Sequence, residues 1–351
     1  MNVLRAGILG ATGAVGQKFV ELLEDHPWFQ VSALVASDQS AGHQYKDVVN
    51  WIGTASIPKL IASMEVLPLS DRLPCDFVFS GLHASVADHA EPNLAKAGYP
   101  VISNAKSFRM HENVPLLIPE VNPDHTALIH HQDWQSKGYI VTNPNCSTVG
   151  LTCALKPLHD KFGIEAVQVV TMQALSGAGY PGVSALDAVA NVVPFIGGEE
   201  DKLVNEPNKL LGTIVDGQLH METLTISPQC NRVPVLEGHL ECVTVKLKSN
   251  PSQNHVRQAF NDFVSPIAEL DLPSEPDRLI HVFDDERFPQ PRRHLNLGNG
   301  MTVSIGRIRP CEILDYKFIV LSHNTVRGAA GGAILNAELL VKQGFLRSFT
   351  S

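Results

Sequence analysis

A chain of 351 residues, 44% apolar and 18% charged, can bury enough surface for two domains. Its net charge of −9, with no basic cluster, argues against nucleic acid and anionic membranes as partners. Six cysteines without a CxxC pair and fifteen histidines without HExxH spacing exclude a disulfide framework and predict no metal.

Met1 to Leu9 contains no signal-peptide core, and no later run approaches the roughly 18 to 20 apolar residues of a membrane span, so the chain is expected in the cytosol. Val3 to Leu9 reads as a buried parallel strand, followed by a glycine turn and a helix with Val15, Phe19, Leu22 and Leu23 on its apolar face. Gly10, Gly13 and Gly16 form GxxGxxG. Such a turn lets backbone approach a pyrophosphate at the helix N-terminus. Gly10, Thr12, Gly13, Ala14, Val15 and Gly16 are therefore the expected dinucleotide contacts. The next strand, Val31 to Val35, ends at Ser37, Asp38 and Ser40. Hydroxyls suit the 2′-phosphate of NADP, while Asp38 keeps NAD open. Apolar runs Phe77 to Phe79 and Val101 to Ser103, around a helix Ser85 to Ala97, continue a βαβ pattern.

Asn143-Pro-Asn-Cys-Ser-Thr-Val-Gly150 places Cys146 at the first turn of an apolar helix predicted from Thr148 to Leu158. Unpaired N–H groups there stabilise a thiolate and an oxyanion formed beside it. Cys153, two turns along the same face, reads as core packing. A strand Ile164 to Gln173 leads into the turn-rich Leu175 to Gly182. His239 to Leu247 and Met301 to Arg307 alternate apolar and polar residues, as antiparallel strands with one solvated face do. A final Ala-rich helix, Gly328 to Gln343, must pack against another element. The fold class is α/β: a Rossmann-type dinucleotide-binding domain, residues 1–145 completed by 325–351, with a second α+β catalytic and dimerisation domain, residues 146–324.

Together the motifs resemble the aspartate-semialdehyde dehydrogenases, in the branch found in archaea and fungi. Eight blocks carry the resemblance almost end to end: GATGAVGQ (10–17), SNAKSFRM (103–110), VPLLIPEVN (114–122), NPNCST (143–148), QALSGAGYPG (173–182), GGEEDKL (197–203), NRVPVLEGH (231–239) and HNTVRGAAGGAILNAELL (323–340). The resemblance implies that Cys146 attacks an acyl phosphate, releases phosphate and forms a thioacyl enzyme that NADPH reduces to the aldehyde. It assigns acid/base work to His239 and substrate orientation to Gln173. Arg232 then grips the α-carboxylate, Glu199 the α-amino group, and Arg109 and Lys202 the phosphate, with Asn145 beside them. Lys106 is the alternative to Arg109, and Glu200 to Glu199. Asn324, Ser176 and Gly177 fall near the nicotinamide. A helix cap is the plainer reading of Asn324.

The implied reaction reduces L-aspartyl 4-phosphate to the semialdehyde, in biosynthesis of lysine, threonine, methionine and isoleucine. The implied assembly is a homodimer or homotetramer. A malonyl-CoA or succinyl-CoA reductase is the competing enzyme; Glu199 and Lys202 discriminate, because a CoA ester needs neither there. A dinucleotide-binding protein without catalysis is a third reading, against which Cys146 and His239 both stand.

Overall fold

A computed structural model describes residues 3–347, so residues 1–2 and 348–351 of the expected first domain lie outside the described residues. Two six-stranded sheets form the molecule. The first contains β1 (Leu4–Leu9), β2 (Phe29–Val35), β3 (Val66–Leu67), β4 (Phe77–Ser80), β5 (Pro100–Ser103) and β6 (Tyr139–Thr142). Its order is β3-β2-β1-β4-β5-β6, and every pairing is parallel. Strands such as FVFS, PVIS and YIVT are buried on both faces, which explains their unbroken apolar runs. The strand order reverses between β1 and β4, where such sheets bind ligands.

The second sheet draws on β7 (Ile164–Gln173), β10 (Thr225–Arg232), β11 (His239–Leu247), β12 (Ile280–Val282), β13 (Val303–Pro310) and β14 (Tyr316–Ser322). A separate hairpin joins β8 (Thr213–Val215) to β9 (Gln218–His220). The second sheet's order is β10-β7-β11-β14-β13-β12. The central pairings are antiparallel, as the alternation predicts, but the β10–β7 and β12–β13 edge pairs are parallel. Side-chain alternation does not encode strand direction.

Against the second sheet packs the helix Cys146–Phe162, longer at both ends than its apolar stripe suggested. Asn145 caps it by accepting from Ser147 N at 3.0 Å and Thr148 N at 3.4 Å, and Gly163, at φ 66°, ends it. Gly150 lets it lie close on the sheet, since a Cβ there would sit 2.5 Å from Ser322 Oγ.

The C-terminal segment differs from one continuous helix. Val326–Ala330 is a π-turn leading into the α-helix Gly331–Lys342. Gly328 N reaches back five residues to His323 O, and Ala330 N to Thr325 O. Ala333, Ile334, Ala337 and Leu340 pack into the core of the first sheet. Arg327 is buried in a two-pronged ion pair with Glu120 at 2.6 and 2.7 Å. It also donates to Cys153 Sγ at 3.6 Å, so Cys153 is buried but not merely apolar filling.

One buried acid makes stability depend on pH. Burial pushes Glu91 from 4.5 up to about 7, although Ser103 Oγ donates to it at 2.6 Å. Folded Glu91 thus keeps a proton that the unfolded chain releases near pH 4.5. Its contribution is complete below the unfolded value and erodes as pH rises through the folded one. Glu91→Gln is expected to raise the thermal midpoint above wild type at pH 8.5 and to change it little at pH 5. A difference independent of pH would show that the carboxyl does not titrate in this range.

Candidate active site

Strand register assembles the site. Arg232 pairs with Gln173 across β10 and β7, Leu240 with Met172 across β11 and β7, and His239 with Ser322 across β11 and β14. Arg232, Gln173, His239 and Ser322 therefore lie along one rung at the end of the sheet, all buried. The first turn of the helix Cys146–Phe162 lies over this rung and puts Cys146 Sγ 3.2 Å from His239 Nε2.

Gly328, in the π-turn, packs against Cys146. A Cβ at 328 would sit 2.7 Å from Cys146 Cβ and 2.8 Å from its Cα. Gly177 covers the rung: a Cβ there would meet Arg232 Nη1 at 2.9 Å and His239 Nε2 at 3.1 Å.

The helix Glu199–Leu210 supplies the charged wall. Glu199 points inward. Its carboxylate accepts from Gln173 Nε2 at 3.1 Å, from Asn145 Nδ2 at 2.9 Å, and from Lys202 Nζ. Glu200 is exposed and accepts from Cys230 N at 3.1 Å, so of the two acids Glu199 is the one buried beside Gln173 and Asn145. Burial pulls Glu199 upward, but Lys202 and the two amides outweigh it and hold the carboxyl below its usual range.

Arg109 is buried and Lys106 exposed, which favours the arginine. Arg109 donates Nη1 to Glu206 at 2.9 Å and Nη2 to Asn104 O at 2.8 Å. The other Glu206 oxygen accepts Asn145 N at 2.7 Å, tying the arginine to the residue before the nucleophile. One turn on, Lys209 Nζ donates to the carbonyls of Arg109, His111 and Val114. Sequence reasoning missed Glu206 and Lys209. Their signal was present, because Glu199, Lys202, Glu206 and Lys209 follow helical spacing along one face.

Burial pushes the Cys146 thiol up to about 12, with Glu199 adding to the effect and Arg109, Lys202 and Arg232 opposing it. Burial lowers His239 to about 3, helped by Arg232 and opposed by Glu199. In the free protein the pair is thus thiol and neutral imidazole. Arg232 Nη1 donates to Ala174 O at 2.7 Å, which fixes the guanidinium beside the rung.

Asn324 is not a helix cap. Its Oδ1 accepts from Gly238 N and its Nδ2 donates to Ser176 Oγ, both at 2.8 Å, locking the Ser176–Gly177 turn to the segment before His239.

The glycine turn follows β1 of the first sheet. Gly10 has φ 74°, and a Cβ at Gly16 would lie 2.2 Å from Gly10 O, so both positions require glycine. The helix Ala14–Leu22 starts at Gly13 with no side-chain cap, leaving the N–H groups near Ala14 and Val15 for an anion; Thr12 is half-buried beside them. At the end of β2, Ser37 O accepts Ser40 N at 2.8 Å in a tight turn, with Ser37 and Asp38 exposed and Ser40 half-buried. These residues fit a dinucleotide: a tight glycine turn, an open helix end and hydroxyls at the second strand's tip.

Comparisons with known proteins agree with this geometry. Residues 5–129 match the family model described as semialdehyde dehydrogenase, NAD binding domain, and residues 155–327 that of the semialdehyde dehydrogenase, dimerisation domain. An aspartate-semialdehyde dehydrogenase of Archaeoglobus fulgidus is 46% identical over 96% of this chain and 98% of its own length. That of Schizosaccharomyces pombe is 47% identical over 99% of this chain and 100% of its own. The crystal structure of the Candida albicans aspartate-semialdehyde dehydrogenase with NADP superposes with a TM-score of 0.91 at 42% identity, covering 97% of this chain and 99% of that one. On these matches over nearly its whole length, the chain belongs to the aspartate-semialdehyde dehydrogenase family.

Proposed function

We propose that this chain catalyses the NADP-dependent reductive dephosphorylation of L-aspartyl 4-phosphate to L-aspartate 4-semialdehyde and phosphate, a step in biosynthesis of lysine, threonine, methionine and isoleucine. The observation that carries the reading is Cys146 Sγ at 3.2 Å from His239 Nε2, on a helix start ringed by Arg109, Lys202 and Arg232.

Cys146 attacks the acyl carbon and becomes a thioacyl group as phosphate leaves. Arg232 meets the α-carboxylate as a planar donor, and Glu199 faces the α-ammonium. Gln173, held by Glu199 and by Thr171 Oγ1 at 3.1 Å, orients the acyl group without titrating. His239 Nε2 borders both the sulfur and the space where the carbonyl oxygen gains charge. NADP, when bound, supplies hydride chemistry at that carbon. Gly10, Thr12, Gly13, Ala14, Val15 and Gly16 would hold its pyrophosphate, Ser37 and Ser40 its 2′-phosphate, and Ser176, Gly177 and Asn324 its nicotinamide end. The test is reduction of NADP⁺ with L-aspartate semialdehyde, with and without phosphate, beside malonyl-CoA with NADPH. Phosphate-dependent activity is expected; activity with malonyl-CoA alone would overturn the assignment.

Arg109 is the proposed phosphate grip, with Lys202 contributing once the substrate ammonium competes for Glu199. Glu206 aims that grip. Glu206→Gln replaces a shared acceptor with a group that must present N–H to one of two donors, at a cost typical of a charge-assisted bond, about 1.5–3 kcal/mol. The phosphate KM is expected to rise about tenfold or more, with the semialdehyde KM changing less than about threefold. Parallel changes in both constants would exclude a specific role in phosphate binding.

The expected domain division, 1–145 with 325–351 and 146–324, is supported by separate core clusters on the two sheets, the second sheet's also taking in Leu116, Ile118 and Val121. Homodimer or homotetramer formation is supported by the segment 180–195, where Leu186 is 92%, Val189 73% and Phe195 71% exposed. Exposed large apolar side chains this close in sequence suit an interface with a second copy, and light scattering reads the copy number. A cytoplasmic location is supported by six free cysteines. Among the described residues, no helix is long and apolar enough to cross a membrane.

A further inference from the structure

Along β11 the buried positions His239, Glu241, Val243 and Val245 alternate with Leu240, Cys242 and Thr244 on the other face. His239 belongs to the site, and Val243 and Val245 to the core. Glu241 has no such use. It is fully buried, and among the described residues neither oxygen of its carboxyl has a hydrogen-bond partner. Burial alone acts on its ionisation and pushes the carboxyl well above the usual carboxylate range.

Register fixes what surrounds it. The rung one step in from His239 reads Cys230, Thr171, Glu241 and Val320 across β10, β7, β11 and β14, all buried. Because β11 is paired on both edges, the side chain cannot turn to the other face without a slip that would carry His239 and Val243 with it. Thr171 is directly opposed to it in an antiparallel pair, a geometry that sets the Cβ atoms roughly 4.5–5.5 Å apart. One water bridges two polar groups at such a separation.

Thr171 leads to the substrate end. Its Oγ1 donates to Gln173 Oε1 at 3.1 Å, and Gln173 Nε2 donates to Glu199 at 3.1 Å. Both bonds point the same way. A hydroxyl has one proton, so Thr171 supplies Gln173 as long as no stronger acceptor claims it from the other side. An ionised Glu241 is such an acceptor, and it would also be a stranded charge in the core. An un-ionised Glu241 has an O–H of its own to send toward Thr171. Cys230, on the far side of Thr171, offers only a weak acceptor.

We infer that Glu241 is a positioning residue for Gln173: as an un-ionised acid it donates through one buried water to Thr171, and so holds the Gln173 amide in place for the acyl group. The inference deepens, and rests on, the reaction proposed above. The chain of donors runs from Glu241 through the water, Thr171 and Gln173 to the Glu199 carboxylate, and each bond polarises the next. With the Thr171 proton drawn elsewhere, Gln173 Oε1 loses its donor and the amide is held at one end, free to pivot about the Glu199 bond.

The test begins without substrate. In the infrared difference spectrum of wild type against Glu241→Gln at neutral pH, the C=O band of an un-ionised carboxylic acid is expected; carboxylate bands in its place would overturn the inference. In nitrogen-15 spectra the Gln173 side-chain amide, assigned by its loss in Gln173→Met, should move in Glu241→Met and in Thr171→Val. It should stay in Glu241→Gln, which keeps an N–H donor. An unmoved amide in Glu241→Met would overturn the inference as well.

Kinetics supply the second arm. Glu241→Met removes a polar group that the core does not satisfy, so it should melt at or above wild type. It should nevertheless lose about tenfold in kcat, the size of one hydrogen bond, with the KM values for phosphate and NADP within about twofold of wild type. Glu241→Gln should keep kcat within about twofold. A purely structural role would move the melting point and leave kcat unchanged. Adding Glu241→Met to Thr171→Val should cost nothing further; additive losses would show that Glu241 does not act through Thr171 and would overturn the inference. Wild-type protein without phosphate-dependent activity would remove the proposed reaction, while the infrared and nitrogen-15 measurements still decide the state of Glu241 and its hold on Gln173.

Discussion

Cys146→Ala is expected to abolish phosphate-dependent oxidation of the semialdehyde, with a loss of at least ~10⁴-fold, because no other group can form the covalent intermediate. Cys153 cannot substitute. It is buried two turns further along the helix and receives the Arg327 guanidinium at 3.6 Å. Cys146→Ser is the sharper variant, since it preserves volume and the contact with Gly328 yet presents an oxygen that is far harder to ionise. Both variants should still bind NADP, because the glycine turn belongs to the first sheet, and both should melt near wild type. Titration of NADP into each variant separates loss of chemistry from loss of the site. Residual activity above about one per cent of wild type would remove Cys146 from the role of nucleophile.

The second large effect concerns stability. Arg327→Ala should cost about 3–5 kcal/mol, which is a large part of the 5–15 kcal/mol typical of a folded protein. The guanidinium is 1% exposed and bonds both oxygens of Glu120, so its removal strands a carboxylate in the core. Burial alone would lower the Arg327 pKa; Glu120 and Cys153 outweigh it and raise it. The controlling comparison is Arg327→Met with Glu120→Leu. That double variant removes both charges, keeps most of the volume and should recover at least half of the loss in a denaturant titration. If it is no better than Arg327→Ala, the cost arises from packing, not from the unpaired charge. Activity should fall alongside stability in Arg327→Ala, because the next residue, Gly328, is the one seated on Cys146.

What the sequence made legible was whatever rests on local chemistry. Gly10 and Gly16 announce a turn because only glycine tolerates the backbone at one and the close approach at the other, and the block around Cys146 announces a helix start, which Asn145 caps. Four strands of the first sheet were readable as apolar runs, since burial on both faces leaves few polar positions; β6 and the two-residue β3 were not read. The parallel edges of the second sheet were not, because strand direction is set by a partner far along the chain. Asn324 was ambiguous for the same reason: a cap and a bridge from Ser176 to Gly238 use the same amide, and only the fold selects between them. Glu206 and Lys209 were hidden in a helix whose charge pattern resembles a solvated face. That face is instead folded inward against Arg109 and Asn145. Glu199 and Lys202 were identified as a pair but assigned separate ligands, whereas in the free protein they satisfy each other.

The return of Val326–Lys342 to the first sheet has a consequence for the order in which the protein can be made. A ribosome delivers β1 to β6 before residue 143, but Ala333, Ile334, Ala337 and Leu340, which close that sheet's core, come almost two hundred residues later. During most of translation the nascent dinucleotide-binding half must therefore carry an open apolar face, available to chaperones or to misassembly. The reactive thiol emerges in the same interval, before Gly328 has arrived to wall it in. The helix Gly331–Lys342 thus closes a sheet laid down long before it, and a polypeptide stalled before residue 326 would display Cys146 without the wall that Gly328 supplies.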